Sequence, residues 1–337
     1  MSAGLHESMD AVVLEDYGGA PSVRSVPVPR PGPGEVLVRM AAAPINPSDL
    51  AFLRGVYAYE KPLPAVPGIE GSGTVVGAGA GLMPRFLLGR RVACSSSITG
   101  GGTWAEYMVT SASLCVPLDG RVSFEQGATL LVNPLTALAL TDAAKKGGHA
   151  AIITSAAASS LGRMILRLCL RDGLPIICVV RRQEQVELLR GLGAEHVLDT
   201  TQSDFETRLT SLAGTLNASL VLDGVAGEMT GTLLAACPAG ATAIVYSDLS
   251  QQPCVVDSRR FFFERKRIRG FYLADWAAEK NVVQALLLAR RAQRLIGSAL
   301  QTTIRQRLPL SAVAEARALY EDDMTAGKVL LVADRRT

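Results

Sequence analysis

Ala151-Ile152-Ile153, followed by Thr154-Ser155-Ala156-Ala157-Ala158-Ser159-Ser160-Leu161-Gly162-Arg163-Met164, is the stretch on which the fold turns. The apolar triplet reads as a short buried strand and the small residues as a turn. Leu161 to Leu170 reads as an amphipathic helix. The pattern continues with Ile176–Val180 and then Gln185–Leu192, and with the strand-like runs His196–Leu198, Leu220–Asp223 and Ala243–Tyr246. Strands separated by helices at this rhythm predict an α/β domain over 122–267 with a parallel, doubly wound sheet. Its longest uncharged stretch, Met229–Ser247, is broken by Pro238 and Gly240 and reads as helix, turn and strand, not as a membrane span.

On either side the pattern changes. From Asp10 to Asp119, short β-type runs such as Ala11–Leu14 and Glu35–Met40 alternate with Pro/Gly punctuation at 27–34 and 77–81, predicting a β-rich, barrel-like domain over 1–121. The tail, 268–337, carries helical runs near Asn281–Ile296 and Leu310–Tyr320 and a closing strand, Lys328–Val332, and is expected to return to that first domain. Residues 1–8 lack a basic start and an apolar core, so they read as a short disordered leader and not a signal peptide.

Composition narrows the class. With 337 residues, 48% hydrophobic and 19% charged, the chain can bury two cores, and a net charge of +3 gives no overall nucleic-acid or membrane signal. The densest basic cluster, Arg259-Arg260 with Arg265-Lys266-Arg267 and Arg269, encloses Phe261, Phe262 and Phe263. It reads as a buried strand or helix edge with solvated basic flanks in preference to an RNA-stacking surface. Six cysteines (Cys94, Cys115, Cys169, Cys178, Cys237, Cys254) form no CxxC pair and read as core residues of a protein from a reducing, cytoplasmic setting.

The turn after Ile153 has two readings. It is either a strand–turn–helix with a serine cap or a dinucleotide site in which Ala and Ser replace glycines, Gly162 is kept, and the Ser159 and Ser160 hydroxyls stand beside a phosphate-attracting helix N-terminus. Arg181-Arg182 ends the second strand, where an acidic residue would greet the ribose 2′-hydroxyl of NAD. Two guanidinium groups there suit a 2′-phosphate, hence NADPH, unless they are merely solvated at a helix start. Asn133-Pro134-Leu135-Thr136 reads as a helix start, with Asn133 able to cap and Pro134 in the first turn.

Pro44-Ile45-Asn46-Pro47-Ser48-Asp49, Gly55-Val56-Tyr57 and Pro64-Ala65-Val66-Pro67-Gly68-Ile69-Glu70-Gly71-Ser72-Gly73 resemble the catalytic domain of the medium-chain dehydrogenase/reductase superfamily. Zinc alcohol dehydrogenases of that superfamily place a Cys near the first segment and a His-Glu pair in the last. Here Asn46-Pro47-Ser48-Asp49 offers no thiolate and Ile69 replaces the imidazole, so the chain resembles the zinc-free branch and no metal is expected. Further matching segments are Gly102-Thr103-Trp104, Val132-Asn133-Pro134, Val179-Val180-Arg181, Leu192–Val197 and Arg269–Trp276. Together they cover nearly the whole chain and are most similar to mitochondrial-type enoyl thioester reductases, with quinone oxidoreductases nearby.

The resemblance implies a GroES-like β-barrel catalytic domain with an inserted Rossmann-type domain, a zinc-independent reduction of an activated C=C bond by NADPH, and a homodimer. It places the proton donor on Tyr57, whose alternatives are Tyr59 in the same role and a half-buried aromatic that anchors a loop. Cofactor contacts are implied at Asn46, Asn133, Thr136, Ala158, Ser159, Ser160, Leu161, Arg181, Arg182, Gln183, Tyr246, Ser247 on to Leu249, Phe271, Tyr272, Leu273 and Lys328. The chain departs from the family at the Ala/Ser turn and at Ser247-Asp248, where a small Gly pair is usual. A quinone acceptor, and a non-catalytic cofactor-binding protein, are the other functions compatible with these residues.

Overall fold

A computed structural model describes residues 7–97 and 100–333 and divides into two units, 1–132 with 301–337, and 133–300. The chain begins with β1 (Ser8–Val13), β2 (Ser22–Pro27), β3 (Glu35–Pro44), α1 (Pro47–Leu53), β4 (Glu70–Ala78), α2 (Leu82–Leu87), β5 (Arg91–Ser95), β6 (Tyr107–Ser111), β7 (Cys115–Pro117) and α3 (Phe124–Ala128). The second unit holds α4 (Asn133–Lys146), β8 (Ala151–Thr154), α5 (Ser160–Asp172), β9 (Ile176–Val180), α6 (Gln183–Gly191), β10 (His196–Asp199), α7 (Phe205–Thr215), β11 (Ala218–Asp223), α8 (Glu228–Ala236), β12 (Thr242–Val245), α9 (Ser258–Phe263), β13 (Arg267–Gly270), α10 (Leu273–Ala278) and α11 (Val282–Leu295). Then β14 (Ile304–Pro309), α12 (Val313–Asp322) and β15 (Lys328–Val332) rejoin the first unit. β1 starts at Ser8, inside the disordered leader expected over 1–8, and residues 1–6 of that expectation lie outside the described residues.

The first unit is built on a seven-stranded sheet in the order β14-β15-β3-β4-β5-β7, with β6 also on β3, and a separate β1-β2 pair. Ten-residue β3 serves three partners, β4, β6 and β15, its register against β4 shifting at Leu37/Val38 and Met40/Ala42. Such irregularities bend a strand and let a sheet curve. Fully buried Trp104 packs with Ile45, Leu50, Phe52 and Val329, and its indole N–H donates to the Pro44 carbonyl at 3.2 Å.

In the second unit all pairings are parallel and the strand order is β10-β9-β8-β11-β12-β13. This order reverses direction between β8 and β11, and ligands of such sheets lie beyond the strand C-termini at that switch point. The predicted strands are present within a residue or two. α5 is capped at its start by Ser159, which accepts from the Gly162 N–H at 3.0 Å, and is ended by Gly173 in the left-handed region (φ 66°).

Three expectations change. The domain boundaries 121/122 and 267/268 move to 132/133 and 300/301, because α3 packs on β3, β4 and β5 while β13, α10 and α11 pack on β12 and α4. The helical run near Asn281–Ile296 therefore does not return to the first unit; an Arg291–Asp142 ion pair at 2.6 Å holds it to α4. The basic, Phe-rich stretch forms α9 and β13, but no residue of α9 is buried.

Gly162 fixes how closely α5 approaches its turn. A Cβ there would lie 2.4 Å from the Ala157 carbonyl oxygen and 2.6 Å from that of Ala156, so backbone would have to move. Gly162→Ala should lower unfolding stability by about 1–3 kcal/mol and weaken NADPH binding as well, measured by thermal melting and by fluorescence titration. An unchanged melt with unchanged affinity would contradict this packing.

Candidate active site

The second unit gathers most of the expected cofactor residues at one end of its sheet. Residues 155–161 follow β8, 181–183 follow β9, 246–249 follow β12 and 271–273 follow β13, all at strand C-termini, while Asn133 and Thr136 are buried in the first turn of α4. The turn after β8 is held by a residue that sequence reading passed over, Asp223 at the end of β11. Ser155 Oγ donates to Asp223 Oδ1 at 2.6 Å and accepts from the Gly224 N–H at 2.8 Å. The same carboxylate accepts from the Val225 and Ala226 N–H groups at 2.9 and 3.3 Å, and through Oδ2 from Thr230 Oγ1 at 2.6 Å. Two strands flanking the switch point are thereby tied through one buried carboxylate.

This explains how the turn does without its glycines. Ala156 adopts φ 47°, a left-handed conformation that glycine tolerates more readily, and the Ser155–Asp223 bond holds it there. Ser160, 8% exposed in the first turn of α5, has a hydroxyl without a hydrogen-bond partner among the described residues. A buried unpaired hydroxyl at a helix N-terminus suits a phosphate oxygen. Arg181, Arg182 and Gln183 are exposed, as a 2′-phosphate site requires, and Gln185 Oε1 accepts from the Arg181 N–H at 3.2 Å. Tyr246 lies against Gly224, where a Cβ would come within 2.7 Å of the phenol oxygen. Burial beside Asp223 pushes that phenol's pKa up.

The first unit carries a second buried polar cluster. Fully buried Glu70 accepts from Asn46 Nδ2 through Oε1 at 3.0 Å, and through Oε2 from the Leu131 and Val132 N–H groups, both at 3.0 Å. Asp49, on α1, accepts from the Asn46 N–H at 2.8 Å and from the Ile69 N–H at 2.9 Å. Lys328 Nζ donates to Asn46 Oδ1, to the Ile45 carbonyl at 3.0 Å and to the Tyr320 hydroxyl at 3.1 Å. Asn46 and Lys328, both expected at the cofactor, thus spend these hydrogen bonds inside the first unit.

Burial sets the protonation behaviour of this cluster. It raises Asp49 to about 7, against the pull of the Asn46 N–H and the Lys328 charge. It likewise raises Glu70, and it lowers Lys328 to about 8 even though both carboxylates oppose the shift. Among the described residues no group of three or more His, Cys, Asp or Glu side chains is placed to hold a metal ion.

Tyr57 is half-buried in the loop after α1, beside Gly55 (φ 74°), and packs on the Trp104 core. The Tyr59 ring meets it edge-on, with centroids 5.0 Å apart and an interplanar angle of 76°. Sequence reading left these two phenols as rivals, and the structure makes them partners.

Comparison with known proteins places this arrangement. Residues 32–120 match the alcohol dehydrogenase GroES-like domain profile and residues 160–288 the zinc-binding dehydrogenase profile. The chain is 32% identical to a mitochondrial enoyl-[acyl-carrier-protein] reductase of Arabidopsis thaliana over 81% of its own length and 74% of the relative's. The chain belongs to the medium-chain dehydrogenase/reductase superfamily, in its zinc-free branch. The human mitochondrial enoyl-[acyl-carrier-protein] reductase is also 32% identical, over 73% of this chain and 67% of its own. A Mesorhizobium loti structure described as an NADPH:quinone reductase has 32% identity and a TM-score of 0.91, covering 98% of this chain and 99% of that one. A mycobacterial relative solved with NADPH has 26% identity and a TM-score of 0.82, covering 96% of this chain and all of that one. The fold expected from the sequence, a GroES-like domain with a Rossmann-type domain, is thereby established.

Asp49 gives this member a pH signature. Its folded pKa of about 7 lies above the ordinary 3.8, so the folded chain binds an extra proton between those values and unfolding stability should fall as pH rises from about 4 to 7. Asp49→Asn removes the titrating group. Denaturant melts across this range should show a downward slope in the parent that is reduced in the variant; identical slopes would place Asp49's pKa near its ordinary value.

Proposed function

We propose that this protein reduces the activated C=C bond of an enoyl thioester or enone, without a metal, using Tyr57 as proton donor. As a medium-chain dehydrogenase/reductase it is an NADPH-dependent oxidoreductase, and the residues present fit that cofactor. The unpartnered Ser160 hydroxyl, the Gly162 close approach and the exposed Arg181-Arg182 pair are the features that support its binding. When bound, NADPH supplies a hydride from nicotinamide C4 to the β-carbon of the double bond. Tyr57 then has one task. Its hydroxyl delivers the proton to the α-carbon, the resulting phenolate recovering one from water, or else hydrogen-bonds the enolate oxygen while water protonates the α-carbon.

The observation that carries this reading is the phosphate-suited turn at the start of α5, in a chain that also carries a half-buried phenol at Tyr57 and whose relatives bear enoyl reductase names. A quinone acceptor is the second reading, favoured by the name of the Mesorhizobium loti structure. Tyr57→Phe separates the two. The variant should lose roughly 10²–10⁴-fold in kcat/KM on an enoyl thioester while NADPH affinity holds, and should lose less with a quinone, whose reduced oxygen can take a proton from water. Full retention on the best enoyl substrate would remove Tyr57 from the chemistry.

Arg181 and Arg182 are proposed to set the preference for NADPH over NADH. Replacing them with an acidic and a neutral residue should raise the NADPH dissociation constant at least about tenfold more than that of NADH, since each charge-assisted bond contributes roughly 1.5–3 kcal/mol. An unchanged ratio would assign the 2′-phosphate to other residues.

A homodimer through the second unit is also proposed. β13 forms an edge of the parallel sheet, and Val282, Val283, Leu286 and Leu287 are exposed on α11. Exposed apolar area of this kind suits a partner copy. All six cysteines are free, which supports a reducing, cytoplasmic setting, and no helix among the described residues is long and apolar enough to cross a membrane.

A further inference from the structure

Lys61 lies four residues after Tyr57 and only 8% exposed, an unusual position for an ammonium. Its Nζ donates to the Gly100 carbonyl at 2.7 Å and stands 6.0 Å from the ring centroids of both Phe52 and Tyr59. The backbone is pinned as well. Tyr17 Oη accepts from the Lys61 N–H at 2.7 Å and donates to the Lys61 carbonyl at 2.9 Å, while the Tyr17 ring packs edge-on against Phe52 at 5.7 Å. An apolar side chain would fill the same space without the cost of desolvating a charge, so the charge calls for an explanation. From Gly100 to Lys61, Tyr59 and Tyr57 there is an unbroken line of contacts.

We propose that Lys61 is a positioning residue for Tyr57: its ammonium, anchored on Gly100, holds the Tyr59 ring, and that ring in turn holds the Tyr57 phenol edge-on. The proposal rests on Tyr57 being the proton donor. Lys61 touches neither substrate nor cofactor in this account, and acts by limiting the orientations open to the phenol. Facing the ammonium are the Asp49 carboxylate from α1, the Phe52 and Tyr59 rings and the Gly100 carbonyl, while the Tyr17 phenol holds the Lys61 backbone; exposed Glu60 is its chain neighbour. Burial lowers Lys61 to about 8, with the Asp49 charge opposing. The ammonium and its hold on the ring are thus present below pH 8 and lost as pH rises through it.

The test is a double-mutant cycle of Lys61→Met and Tyr57→Phe, with Lys61→Arg as the conservative variant, using NADPH and a short enoyl thioester. Lys61→Met should lower kcat about tenfold, the factor a desolvated cation–π contact can supply, with NADPH affinity within about twofold of the parent. Lys61→Arg should restore most of the rate and lose the fall in kcat near pH 8, because a guanidinium stays charged. In the Tyr57→Phe background Lys61→Met should have no further effect, as expected of residues that act through one another. A Lys61→Met enzyme with the parent's kcat and pH profile would overturn the proposal, as would the same tenfold loss in the Tyr57→Phe background. If Lys61→Met does not fold, an unchanged alkaline limb in Lys61→Arg would overturn it, Lys328 then being the titrating group. A fully active Tyr57→Phe enzyme removes the proton-donor reading and the proposal with it; an impaired one beside an unaffected Lys61→Met removes the proposal alone.

Discussion

The buried Glu70 carboxylate is the constraint around which the first unit is organised. It sits on the strand segment where zinc enzymes of this superfamily keep a His-Glu pair, and it draws its hydrogen bonds from Asn46 and from two backbone N–H groups leading into α4. Those bonds link β4, the start of α1 and the end of the first segment of the unit. An unpaired buried carboxylate would cost several kcal/mol, and removing one partner of such a pair costs about 3–5 kcal/mol. Lys328 completes the arrangement by binding Asn46 from the other side, so two carboxylates, one amide and one ammonium share a space closed to water. The cation in this neighbourhood is one of the chain's own side chains.

The second unit solves a comparable problem with different means. A dinucleotide turn needs close backbone approach and left-handed residues, and glycine usually supplies both. Here Gly162 supplies the approach, and the Ser155–Asp223 hydrogen bond holds Ala156 in its strained conformation. The energy stored in one left-handed alanine is of order 1 kcal/mol, well within what a buried charge-assisted hydrogen bond returns. The Ser160 hydroxyl is left available at the helix start.

The parallel sheet was legible in the sequence because its strands are short apolar runs with helices between them, and period alone separates the two. The boundaries were not. Residues 268–300 have no local signal for which core they join; pairing of β13 on β12 and the Arg291–Asp142 contact decide it. Within the site, features set by local spacing could be read, such as the serine cap at Ser159. Residues whose role depends on contacts far along the chain could not. Asp223 reaches Ser155 across 68 positions and Lys328 reaches Asn46 across 282, and no window of sequence contains both ends. The exposed phenylalanines of α9 misled for a similar reason, since an apolar run reads as buried whether its cover is this chain or another.

The claim at the centre of this account is that Glu70, Asn46 and Lys328 stand in for a metal centre, leaving reduction to NADPH and a phenol. The most direct measurement is the zinc content and enoyl-thioester-dependent NADPH oxidation of one sample before and after exhaustive dialysis against a chelator. The account predicts full turnover by protein with no bound zinc. Stoichiometric zinc, removed together with activity and restoring it on return, would contradict it.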